Sequence, residues 1–134
     1  MRYLVIHHSA TAGDCSAQAV ADWHVNHNGW PGIGYHYLVH PDGQIDYAGD
    51  IGTERYNVAG RNHECIGICL AGTFDKRWPT NEQLRAARGV VHAMRLFVPS
   101  AAVVGHRDIA LPGYETECPG ALWPQFREFV EEAP

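Results

Sequence analysis

Three short clusters hold the side chains best suited to chemistry: His7-His8-Ser9, His106-Arg107-Asp108, and Cys118 within Thr116-Glu117-Cys118-Pro119-Gly120. Imidazole and thiolate together suit zinc, a borderline-soft ion that takes nitrogen and sulfur ligands in tetrahedral geometry. Three protein ligands leave a fourth position open to water, the arrangement of a catalytic rather than a structural zinc site. His7 and His8 are consecutive, so on an extended strand their side chains leave by opposite faces and only one can join such a site. Taken singly, each cluster reads as a satisfied polar pair or an inert small thiol; the chemistry lies in their combination. Nine histidines and four cysteines in 134 residues ask for that kind of explanation.

Such clusters act together only if strand ends bring them to one place. Residues 2–8 form a near-continuous apolar run with β-branched members, the pattern of a buried strand. Residues 16–27, with Ala17, Val20, Ala21, Trp23 and His24, suit an amphipathic helix that stops at Asn28-Gly29. A loop over Trp30–Gly34 precedes two strands, Tyr35–His40 and Gln44–Ala48, which flank the hairpin signal Pro41-Asp42-Gly43. Residues 50–63 mix Gly, Asn and charges without periodicity and read as a long loop covering a site.

Cys65–Ala71 reads as a further buried strand. Thr80-Asn81-Glu82-Gln83 is a capping box that opens a helix running to Leu96 or Phe97, before Pro99. Ala101–Val104 is a short strand, and Pro124 sits in the first turn of a last helix with Phe126, Phe129 and Val130 turned inward. The order β-α-β-β-β-α-β-α predicts a single α/β domain over residues 1–134. Its centre is a mixed β-sheet flanked by about three helices, with strands 2–8 and 101–104 in the middle.

Composition narrows the function classes. Apolar residues make up 46% and charged residues 19%, a globular balance. Fifteen acids against ten bases give a net charge of −5, which argues against a nucleic-acid partner or a polybasic membrane anchor. No run approaches the roughly 18 apolar residues of a membrane span, so no membrane association is expected. Met1-Arg2 lead straight into Tyr3-Leu4-Val5-Ile6, and no signal peptide is expected there. Cys15, Cys65, Cys69 and Cys118 form no CxxC pair and read as free thiols, although spacing alone leaves some pairings open. Cys65 and Cys69 in one strand would stand about 13 Å apart, too far to bridge.

Six segments in register resemble the zinc-dependent N-acetylmuramoyl-L-alanine amidases of type 2, the group that includes amidase-type phage lysozymes and peptidoglycan recognition proteins. They are Val5-Ile6-His7-His8-Ser9-Ala10-Thr11, Gly34-Tyr35-His36-Tyr37-Leu38-Val39, Pro41-Asp42-Gly43, Asn62-His63 with Ile66-Gly67-Ile68, Gly105-His106-Arg107-Asp108, and Thr116-Glu117-Cys118-Pro119-Gly120. The resemblance implies Zn2+ held by His7, His106 and Cys118. It implies Tyr35 as the catalytic tyrosine and Thr116 at a position that is lysine in some phage enzymes. Some relatives carry a glutamate general base where this chain has Cys69, which places more of the proton handling on Tyr35, the zinc hydroxide or a nearby histidine.

The reaction implied is hydrolysis of the amide between N-acetylmuramic acid and L-alanine in bacterial peptidoglycan, by a phage-type endolysin acting as a monomer on the cell wall. A non-catalytic peptidoglycan-binding module and a cytosolic muropeptide-recycling amidase are the alternatives. His63, Asn62 and Trp30 are candidate substrate contacts, and His63 a candidate proton donor to the leaving nitrogen. Trp78 is a second loop aromatic that could stack on sugar or close a core edge. His8 is read as packing beside the site, His24 and His27 as solvated or capping, and His92 as ordinary. His36 and His40 share a strand face without an assigned role. Arg107 and Asp108 are read as an ion pair behind His106.

Overall fold

The computed structural model describes residues 1–133. The elements run β1 (Tyr3–His8), α1 (Ala17–Asn26), β2 (Tyr37–Val39), β3 (Ile45–Tyr47), β4 (Cys65–Leu70), α2 (Asn81–Arg95), β5 (Ala102–Gly105), a single turn α3 (His106–Ile109) and α4 (Trp123–Glu131), with a 3-10 turn at Asn62–Glu64. One five-stranded sheet has the order β3-β2-β4-β1-β5. β3 is antiparallel to β2 and all other pairings are parallel, so the expected mixed α/β sheet is present.

β1 and β4 are central because both faces of each are covered, which their unbroken apolar runs demand. Leu4, Ile6, Ile66, Ile68 and Leu70 meet Leu84, Ala87, Val91 and Met94 of α2 and Trp123, Phe126 and Val130 of α4 in the main core. The alternate residues of the same strands point the other way, under α1 and the 50–62 loop: Val5 and Cys65 pack with Val58 and Val104, and Cys69 with Val20, Leu38 and the ring of Tyr35. Ser16 and Thr80 cap α1 and α2 by accepting from the Ala19 and Gln83 amides.

Three expectations change. β5 is an edge strand, not a middle one. An apolar run of four residues does not distinguish the two, and here the guanidinium of Arg127 meets the open edge by donating to the Val103 carbonyl at 3.0 Å. Phe129 lies on the outer side of α4, 48% exposed against the edge of Trp78. The helices number four among the described residues, the extra one being the turn that carries His106. No helix among them is long and apolar enough to cross a membrane.

Candidate metal centre

Parallel pairing builds the centre. β1 and β5 run in register with Ile6 opposite Gly105, so His7 and His106, each one residue further on, emerge side by side at the carboxyl ends of neighbouring strands. Their rings lie 4.8 Å apart, edge to face. The Cys118 thiol reaches the same point, with Sγ 3.6 Å from His7 Nδ1. One ligating atom from each of His7, His106 and Cys118 lies within 4.8 Å of the other two. A nitrogen about 2.1 Å and a sulfur about 2.3 Å from one tetrahedral zinc would stand about 3.6 Å apart. The His7–Cys118 pair already has that separation.

Each of the three is held by its own device. Asp108 accepts from the Gly105 amide and from the Trp123 indole N–H, both at 2.7 Å, and so fixes the strand-to-helix corner from which His106 projects. A Cβ at Gly105 would come within 2.5 Å of the Trp123 nitrogen, so only glycine admits that indole. The Cys118 amide donates to Thr116 Oγ1 at 3.1 Å and its carbonyl accepts from the Arg107 amide at 2.7 Å. Its sulfur accepts from the His8 amide at 3.4 Å. His7, buried at 1% exposure, is bonded through Nε2 to Asn57 Oδ1 at 3.1 Å.

Burial sets the charges. It pushes the Cys118 thiol up to about 12, against the opposing pull of the His8 N–H. Burial, followed by repulsion from His106, holds His7 well below the usual imidazole range, and burial likewise lowers His106. Two neutral imidazoles therefore offer lone pairs beside a thiol whose ionisation needs a cation. This donor set fits a zinc-type ion, whose charge stabilises a thiolate that burial alone disfavours.

Tyr35 stands over this centre, its ring 5.0 Å from that of His7 and 5.3 Å from that of His24. Burial, reinforced by the thiols of Cys69 and Cys118, raises its phenol well above the ordinary value, so it is a proton donor at neutral pH. Tyr35 also floors a cleft of about 410 Å³ whose rim includes Thr11, Cys15, Trp23 and His24. A second cleft, about 420 Å³, lies under Lys76, Arg77 and Trp78 and is lined by none of these centre residues.

The other candidates divide. Thr116 is half-buried within the Cys118 turn; its oxygen accepts from the Cys118 amide, which leaves its hydroxyl proton free to donate. Trp30 packs against His24 and Tyr56 and closes the loop behind Tyr35 without lining the cleft. Asn62 spends its side-chain oxygen on the amides of Asn57 and Val58. His63 is exposed just before β4, at the end of the sheet remote from His7, because β4 runs parallel to β1 with Cys65 opposite Tyr3. The geometry thus does not bring His63 to the centre.

Further readings are corrected. His24 is buried, not solvated, and its Nδ1 accepts from the Gly34 amide at 2.8 Å, which fixes the turn before Tyr35. His36 is buried and bonded to the Gly67 amide and the Thr53 carbonyl, and His40 lies between Asp14 and Asp46. Asp108 bonds Gly105 and Trp123 rather than Arg107, which pairs with Glu117 at 3.5 Å. Trp23 faces the cleft instead of the core, stacked on His27 at 3.6 Å; an aromatic four residues before a histidine was the available signal. Asn57 gave no such signal, lying in an aperiodic loop. The glycine of Ile66-Gly67-Ile68 hinted at it, since a glycine inside a buried strand marks a close approach. All four cysteines are free thiols.

The profile of the N-acetylmuramoyl-L-alanine amidase family matches residues 1–121. An endolysin of Enterobacteria phage K11 is 31% identical over 112 residues, covering 78% of this chain and 74% of the relative. Peptidoglycan-recognition protein SC2 of Drosophila melanogaster is 32% identical over 145 residues, covering 95% and 73%. Among solved structures, N-acetylmuramoyl-L-alanine amidase LysC from Clostridium intestinale superposes with a TM-score of 0.85 at 26% identity, covering 96% of this chain and 81% of that one.

Proposed function

The chain belongs to the N-acetylmuramoyl-L-alanine amidase family, and on that premise we propose that His7, His106 and Cys118 hold a zinc ion that serves peptidoglycan cleavage. The protein is a peptidoglycan amidase, and its substrate bond is the amide joining N-acetylmuramic acid to L-alanine. The observation that carries the zinc reading is the convergence of three ligating atoms within 4.8 Å beside a protonated, half-buried tyrosine. When bound, zinc supplies Lewis-acid polarisation of the amide carbonyl and activation of the attacking water.

The chain's own groups supply the rest. Tyr35, kept protonated by burial, donates from its phenol to the oxyanion that develops as the carbonyl becomes tetrahedral. Thr116 donates its free hydroxyl proton to the same charge without adding a positive one. Tyr35 also passes its phenol proton to the leaving alanine nitrogen and is reprotonated by the proton that the attacking water gives up, a relay that no carboxylate at position 69 can share and that His63 is too remote to perform. Cys69, fully buried and with its thiol raised well above the ordinary value, is packing beside Tyr35 rather than a base. The cleft beside Tyr35 receives the part of the muropeptide next to the scissile bond, with Trp23 as an apolar wall. The phage relative points to a cell-wall lysin.

Release of soluble stem peptide with a free N-terminal alanine from purified peptidoglycan tests the reading. It is expected to vanish with chelator and return with zinc. Chelator-resistant release overturns the metal assignment. Co-sedimentation with peptidoglycan without release overturns catalysis in favour of a binding module.

A further inference from the structure

We propose that Asn57 is a positioning residue of the metal centre, holding His7 in the tautomer that presents Nδ1 to the ion. The inference rests on the assignment of His7, His106 and Cys118 as the zinc-holding set. Asn57 is buried, and its Nδ2 donates to the Arg55 carbonyl at 3.0 Å. That bond fixes the sense of the amide, so the atom facing the His7 ring is the oxygen, which can only accept. His7 Nε2, 3.1 Å away, must then carry the ring proton. A neutral imidazole has one such proton, so Nδ1 is left with its lone pair, and Nδ1 is the atom 3.6 Å from Cys118 Sγ.

The surroundings are built to keep the amide in place. Asn62 Oδ1 accepts from the Asn57 and Val58 amides at 2.9 and 2.8 Å and clamps the loop at this point. On the sheet side, a Cβ at Gly67 would come 3.0 Å from Asn57 Cγ, so the glycine in β4 is what lets the amide reach the ring. An aperiodic loop is thereby tied to the floor of the centre at a single side chain. Without that acceptor the proton divides between the two ring nitrogens, and the ring loses the bond that fixes its rotation. Loss of such a supporting hydrogen bond typically costs about 10–100-fold in metal affinity.

The test compares the full-length protein with Asn57→Leu, which removes the acceptor, and Asn57→Asp, which keeps it. Zinc affinity is measured by chelator competition. The His7 tautomer in the metal-free protein is read from long-range 1H–15N NMR, and thermal unfolding of the metal-free forms reports folding. Wild type is expected to hold the proton on Nε2. Asn57→Leu is expected to bind zinc about 10–100-fold more weakly and to lose that single tautomer, with Asn57→Asp staying within a few-fold of wild type. A folded Asn57→Leu with wild-type zinc affinity overturns the inference. So does a wild-type His7 protonated on Nδ1, whatever the variants do. Failure of wild type to bind zinc at all is a different result: it removes the zinc assignment itself.

Discussion

Towards α2 and α4, β1 and β4 turn Leu4, Ile6, Ile66, Ile68 and Leu70, all but excluded from solvent; towards α1, the same strands turn Val5, His7, Cys65, Gly67 and Cys69. The first face is continuous hydrocarbon, where each fully buried aliphatic side chain contributes about 1.5–3 kcal/mol and shape matters more than identity. The second sets two small apolar clusters, around Val5 and around Cys69, beside polar side chains that are individually bonded: His7 to Asn57, His36 to Gly67 and Thr53, and Cys118 to the His8 amide. One face carries cohesion so that the other can hold polar groups at fixed separations.

The sharpest way to break the comparison is to delete a ligand. His106→Ala or Cys118→Ala is expected to abolish peptide release, because two ligands hold a catalytic zinc poorly, while the metal-free protein unfolds close to the wild-type midpoint. Across the sheet the pattern reverses. Phe126, fully buried against Phe74 and Trp123, is expected to cost about 3–5 kcal/mol as Phe126→Ala, read by urea unfolding, with zinc affinity unchanged in whatever fraction stays folded. Equal loss of stability from both classes of variant would erase the distinction between the faces.

Two smaller effects sharpen it. Tyr35→Phe keeps the ring and removes the donor, so zinc binding is expected to persist while turnover falls about 10²–10³-fold, seen in kcat. Gln83 is the polar exception on the hydrocarbon side. It is 1% exposed and donates to the strand-end carbonyls of Val39 and Ala71 at 2.9 and 3.0 Å. Gln83→Met preserves volume and leaves the Ala71 carbonyl unmet, while the Val39 carbonyl keeps the Ala71 amide at 2.9 Å, for about 1–3 kcal/mol of stability and no direct effect on chemistry.

The hydrocarbon face was also the readable one. Period and caps place β1, β4 and α2 because burial imposes regular spacing on a sequence, and the capping residue Thr80 marks where α2 starts. The polar face has no period. His7, His106 and Cys118 could be grouped only as residue types at strand ends and by resemblance, and the parallel register that sets His7 beside His106 is visible only in the fold. His63 stands away from the metal centre, a separation the sequence hid because a segment near a strand start says nothing about which end of the sheet holds the site. Asn57 and His24 escaped because each acts through one hydrogen bond formed across a loop, which leaves no pattern along the chain.

The smallest effect is read by pH and divides the polar side within itself. His24 and His36 are held below the usual imidazole range by burial, and in each Nδ1 accepts from a backbone amide, of Gly34 and Gly67, which protonation would forbid. Their folded forms bind protons less well than the unfolded chain, so their contribution is whole above about pH 6.5 and is lost as pH falls below it. His40 has the opposite sign. Burial opposes its charge, but hydrogen bonds from Nδ1 to Asp14 at 2.7 Å and from Nε2 to Asp46 at 2.8 Å outweigh that cost and raise its value. Its contribution is whole below about pH 6.5 and is lost as pH rises through the raised folded value. Both carboxylates are substantially exposed, so the effect is expected to be about 0.5–1 kcal/mol. Unfolding free energy of His40→Gln relative to wild type should therefore show its deficit near pH 6 and lose it by about pH 9, whereas His24→Gln should lose the acid-side slope instead. A His40→Gln deficit that persists undiminished into alkaline pH would mean that the ring acts by packing alone, and that the two aspartates contribute nothing through its charge.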